Sequence, residues 1–162
     1  MIEPLLMTAA RILTFDGLRP LTNASGFFFR RDGRLFLVTC RHVLIDERSR
    51  HFPDRIEIEL HIDADDMGQS TGFSIPLYRE GAGVWREGAD GGGRVDVAAI
   101  QLDLAALPPT LACRAFTPAH IPAPSEVEIG ATVLIAGFPL GFHDTLHHLP
   151  IVRQAAVASS FG

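Results

Sequence analysis

The sequence is poor in features that would settle a function class at once. It has two cysteines, Cys40 and Cys113, too few for a disulfide framework. Their neighbours do not suggest a bridge, so the plain reading is two free thiols behaving as small apolar groups. Its 14 basic residues are scattered without a dense run, and the formal net charge is −5. That excludes the clustered cations of a nucleic-acid surface and the polybasic patch of a membrane-surface protein. No apolar stretch is long enough to span a membrane, and Met1-Ile2-Glu3-Pro4-Leu5-Leu6 carries no basic leader. With neither signal nor span in view, the default expectation for location is cytoplasmic. There is no internal repeat. The glycine-rich stretch 81–94 lacks the flanking strand, helix and Gly-Lys-Ser/Thr ending of a phosphate-cradling loop, and reads as an exposed loop. His143 and His147 stand four apart, which would face a metal if their segment were helical, but the spacing matches no zinc signature and Gly141 and Pro150 flank it. A polar surface loop is the default there, and no metal or cofactor is expected.

What is present is a foldable globular chain, 47% hydrophobic and 20% charged over 162 residues. Residues 9–15 have strand content and end at the Asp16-Gly17 turn signal. Residues 55–63 alternate strictly, which predicts a half-buried strand with Ile56, Ile58, Leu60 and Ile62 on the core face and His61 on the solvent side. Further strands are expected over 71–78, 96–102, 130–139 and 150–160. Val43-Leu44-Ile45 has room for one helical turn, and residues 110–124 carry several prolines without a period, which suits a linker. The fold class expected is all-β.

The most informative stretch is residues 24–44. Two apolar runs flank Asp32-Gly33, the strongest short-range hairpin signal, because both central positions of a type I′ turn need positive φ. The second run ends at Thr39, and His42 follows. A histidine at the end of a rigid hairpin is well placed for chemistry; the bland alternative is a strand cap. Cys40 sits beside it, but two positions apart on a strand is poor geometry for a nucleophile–base pair. Downstream, Asp96 opens the apolar strand Val97-Ala98-Ala99-Ile100. A carboxylate there is partly buried unless it finds a partner, and it reads either as a turn cap after the glycines or as half of a functional pair.

Gly26-Phe27-Phe28, the Asp-Gly turn, and Leu37-Val38-Thr39-Cys40-Arg41-His42-Val43-Leu44 together resemble the region around the catalytic histidine of trypsin-like serine peptidases, closest to the bacterial-type branch. Asp96-Val97-Ala98-Ala99-Ile100 is similar to the segment carrying that family's aspartate. The Gly137-Phe138-Pro139 stretch resembles a segment of its second barrel. The resemblance implies a chymotrypsin-like Greek-key β-barrel over residues 1–107, a linker over 108–125 and an incomplete second barrel over 126–162. It implies His42 as general base and Asp96 as the buried carboxylate that orients it, with a protein or peptide as substrate.

The third member of that family's triad has no match. The expected Gly-Asp/Asn-Ser-Gly string does not occur, and Ser25, Ser49, Ser70, Ser74, Ser125, Ser159 and Ser160 lie in other contexts. Neither Cys40 nor Cys113 lies where the nucleophile would sit. The expectation is therefore a trypsin-like serine endopeptidase represented by a piece that ends before its nucleophile and is inactive as written. The alternative is a degenerate, non-catalytic peptidase fold kept as a protein-binding module. A Gly-x-Ser-Gly downstream in the parent reading frame favours the first, and a stop codon at Gly162 the second. An incomplete second barrel would leave strand edges unpaired, so self-association through residues 130–162, or disorder there, is also expected.

Overall fold

A computed structural model describes residues 3–159; Ser160, named above among the serines, lies outside them. The elements in chain order are β1 (Ala9–Asp16), β2 (Arg19–Arg31), β3 (Arg34–Thr39), the single turn α1 (Arg41–Leu44), β4 (Arg55–His61), β5 (Ser70–Pro76), β6 (Tyr78–Arg79), β7 (Ala82–Gly83), β8 (Trp85–Asp90), β9 (Gly93–Leu102), β10 (Thr132–Gly137) and β11 (Ile151–Ala156). The protein is mostly β, and every strand pair is antiparallel.

Seven strands form one sheet in the order β5-β4-β1-β2-β3-β9-β8, so β5 and β8 are its edges. The β2–β3 turn has Asp32 at φ 49° and Gly33 at φ 73°, as a type I′ turn requires. That turn sets the register Phe28↔Leu37 and Phe27↔Val38, and the period of two then sends Phe28, Leu35 and Leu37 to one face. They meet Ala10 and Ile12 from β1, Ile56, Ile58 and Leu60 from β4, and Ala98, Ile100 and Leu102 from β9 in one buried cluster. Val43 and Leu44 of α1 join it and anchor the turn that carries His42. Gly26 permits the close packing of β1, β2 and β3. A Cβ there would meet Ile12 Cδ1 and the Val38 carbonyl oxygen at 2.9 Å.

The strand over residues 55–63 forms with Ile56, Ile58 and Leu60 inside, although β4 stops at His61 and Ile62 is only half-buried. His61 is not on an open face. Its ring donates from Nε2 to the His147 carbonyl at 2.8 Å, because the 142–149 loop folds back across β4. The stretch 81–94 is exposed but not a loop: it forms β7, β8 and the start of β9, with the glycines turning β8 into β9. An edge strand paired on one side and open on both faces needs no apolar alternation, so no period marked it.

Residues 110–124 contain no strand, yet they are stapled to the sheet. Ala112 N–H donates to His61 O (2.8 Å), Arg114 N–H to Met7 O (3.0 Å) and Phe116 N–H to Phe28 O (2.9 Å). Leu111, Cys113 and Ala115 pack against the core. Beyond them, β10 and β11 pair as a separate two-stranded sheet. Besides the loop contact at His61, it is tethered by Phe138, 3% exposed, whose amide donates to Ser25 Oγ at 2.7 Å. The Ser25 carbonyl in turn accepts from Thr39 Oγ1 at 2.9 Å, so the hairpin's root is linked to the strand that leads into His42.

Candidate active site

The β3–β9 ladder ends at Thr39↔Ala98, so Asp96 lies two residues past it, opposite the start of α1. There the chain leaves β3 through Cys40 and turns into the helical turn. The turn points the amides of Arg41 and His42 toward Asp96: that of His42 donates to it, and that of Arg41 helps hold its carboxyl down. The His42 amide reaches Oδ1 at 2.9 Å, while His42 Nδ1 meets Oδ2 at 2.6 Å. One carboxylate thus grips the backbone and the ring of the same residue. It is held below the usual aspartate range, first by the His42 amide and then, against the cost of partial desolvation, by the ring. An ionised carboxylate can only accept, so Nδ1 carries a proton, and in the neutral form of the ring the lone pair then lies at Nε2.

The sequence reading brought these two residues together, and the structure places them in contact. It corrects one detail: Asp96 is not buried. Its side chain is 56% exposed and that of His42 58%, because both lie beyond the end of the ladder, where no described element packs over them. An exposed ion pair contributes little by charge alone; the orientation rests on the amide contacts.

Arg41, between Cys40 and His42, was missed as a functional residue. Its guanidinium donates to both Glu47 oxygens (3.2 and 2.9 Å), to Glu87 Oε1 (3.0 Å) and to the Ile45 carbonyl (3.2 Å). Glu87 also accepts from Trp85 Nε1 at 2.9 Å. The clamp fastens the loop after α1 and the edge strand β8 to the turn carrying His42. Arg41 holds the Glu47 carboxyl down to about 2, and its own pKa rises. No local pattern reveals such a group, since one partner lies 46 residues away.

Cys40 is nearer the pair than its spacing suggested. Its Sγ, a His42 ring nitrogen and an Asp96 oxygen all lie within 4.8 Å of one another. Partial burial, and then the Asp96 charge, push its thiol up, which keeps it protonated near neutral pH and makes it a poor nucleophile. Burial raises Cys113 as well. Among the described residues no hydroxyl hydrogen-bonds the His42 ring: Ser49 is committed to Asp46 at 2.5 Å and Ser70 to Glu59 at 3.1 Å.

His42 borders a groove of about 650 Å³ walled by the start of β2 and the loop after α1, including Leu21, Asn23, Asp46, Arg50 and His51. A larger groove of about 730 Å³, around Arg34, Arg79 and Arg86, shares no residue with it. His143 and His147 do not share a helical face. Their segment is turn and coil, and their rings bond separately to Gly141 O and Asp144 Oδ2, each at 2.7 Å. In comparison with known proteins, no family model matches this chain and no curated protein matches it.

Proposed function

We propose that the chain carries the base-and-orienter part of a trypsin-like serine peptidase on a chymotrypsin-like Greek-key barrel. The observation that carries the reading is the two-point grip of Asp96 on His42, ring nitrogen at 2.6 Å and amide at 2.9 Å. This grip fixes the tautomer that a general base needs. In the proposed reaction His42 Nε2 takes the proton of an attacking serine hydroxyl and later delivers it to the leaving amine. Asp96 stays ionised and stabilises the imidazolium between the two transfers. The groove beside His42 is where a peptide would lie. Among the described residues no hydroxyl hydrogen-bonds the His42 ring, whose bond goes to Asp96, so the chain as written is expected to turn over no peptide.

The test is peptide-bond hydrolysis and fluorophosphonate labelling of the product of the full reading frame. Both are expected, both disappear in His42→Ala, and Asp96→Asn lowers kcat about 10⁴-fold. A full-length product that neither labels nor hydrolyses overturns the reading. Hydrolysis by the present chain that is lost in His42→Ala overturns the expected inactivity.

A further inference from the structure

We propose that Cys40, His42 and Asp96 form a binding site for one divalent transition-metal ion of Zn²⁺ character, which takes the place of the proton held between His42 and Asp96. Each residue offers one ligand atom, and the three atoms lie within 4.8 Å of one another. With metal–ligand bonds of about 2.0–2.3 Å, ligand atoms of a tetrahedral site stand roughly 3.3–3.8 Å apart. Reaching that spacing requires the widest pair to close by up to about 1 Å and the His42 Nδ1–Asp96 Oδ2 pair, now at 2.6 Å, to open by roughly 0.7 Å.

The donor set selects the ion. A thiolate and an imidazole favour zinc-like metals over magnesium or calcium, and a carboxylate completes a set of three with water as the fourth ligand. All three residues are solvent-exposed, so the ion has an entry path and room for that water. The scaffold is rigid, because Cys40 follows β3 directly and α1 is anchored by buried Val43 and Leu44. Asp96 Oδ1 keeps its bond to the His42 amide while Oδ2 turns to the metal, which orients the carboxylate as outer contacts do in metal sites. The cation next to the group in sequence, Arg41, is drawn off to Glu47 and Glu87. One thiolate and one carboxylate then balance the charge of the ion.

The step balances in protons. The thiol loses its proton to water as sulfur binds. The Nδ1 proton leaves through solvent and an equivalent proton is taken up at Nε2, so one proton is released in all. A metal on Nδ1 therefore leaves the ring with a protonated Nε2, unable to accept from a hydroxyl. Reversible inhibition of the proposed peptidase follows; that consequence rests on the proposed function, whereas the binding does not.

The experiment is a titration of the reduced chain with Co²⁺, and then with Zn²⁺ in competition. One equivalent of Co²⁺ is expected, giving a sulfur-to-cobalt charge-transfer band and tetrahedral visible bands that Zn²⁺ abolishes. Cys40→Ala should remove the charge-transfer band, and Cys40→Ala and Asp96→Asn should each weaken Zn²⁺ binding by about 100-fold or more, a loss at or above that for outer contacts. Cys113→Ala should change nothing. Because both exchanged side chains are exposed, Trp85 emission should confirm that the variants fold. A band absent from the wild type, or one that survives Cys40→Ala and falls with Cys113→Ala, overturns the site. Peptide hydrolysis is not read here, so failure of the metal site leaves the peptidase reading to stand or fall on its own assay.

Discussion

Two parts of the molecule use the same strand-forming residue types to opposite effect. In the seven-stranded sheet, β1, β3 and β4 alternate buried and half-buried positions, and the buried set makes one cluster. In β10 the run Val133-Leu134-Ile135 is exposed on both faces, at 37%, 59% and 56%, and β11 buries none of its residues. The hairpin has strand propensity and pairing but no buried cluster of its own among the described residues; the large sheet gathers its apolar side chains, with those of α1, into one. Pairing satisfies the backbone in both, and only burial adds the larger stabilising contribution.

The comparison breaks most sharply at Leu37 and Leu134. Leu37 is fully buried in β3, so Leu37→Ala should cost about 2–5 kcal/mol through lost transfer and a residual cavity. Leu134→Ala should stay within about 0.5 kcal/mol. Urea denaturation checks both, and equal costs would show that the two regions bury their side chains alike. Gly26→Ala comes next. The added methyl would sit 2.9 Å from the Val38 carbonyl oxygen, which is backbone and cannot rotate away, so a loss of about 1–3 kcal/mol is expected from overpacking. A neutral result would mean that β2 and β3 can separate at no cost, contrary to the packing described.

The exposed face of the hairpin supplies the third prediction. The self-association proposed through residues 130–162 should appear in sedimentation as a concentration-dependent shift. Ile135→Lys should weaken it about tenfold, equivalent to about 1.4 kcal/mol, by placing a charge on the apolar face. A wild type that stays monomeric at high concentration removes the proposal.

Which of these features the sequence disclosed depends on how local the cause is. The Asp32-Gly33 turn was legible because two adjacent residues at positive φ determine it. The core face of β4 was legible because burial on one side imposes alternation on consecutive residues. β8 was not, since an edge strand with exposed faces imposes no such rule. The pairing of His42 with Asp96 was reached through resemblance to a family, not through spacing, and the exposure of Asp96 depends on where the β3–β9 ladder ends. Arg41 was opaque for the same reason: its role exists only once β8 has brought Glu87 beside it.

The smallest expected effect concerns that clamp, and it separates the region around His42 from the rest of the sheet. Glu47 is held at about 2 against an ordinary value of 4.5, and Glu87 and Asp96 are also lowered. A depressed carboxylate contributes stability that is complete above its unfolded value and is lost as pH falls through the folded one. The clamp should therefore hold at pH 5 and above and loosen as pH falls from about 4.5 to about 2. Trp85, the single tryptophan, donates to Glu87 and reports the change through its emission. In Arg41→Ala, Glu47 returns toward its ordinary value, while Glu87, held first by Trp85 and only then by Arg41, returns in part, so the transition should move to higher pH while the far-ultraviolet signal of the sheet stays put. A Trp85 transition at the same pH in wild type and variant would mean that Arg41 does not hold those carboxylates. The turn carrying His42 would then be as firmly fixed without the guanidinium as with it.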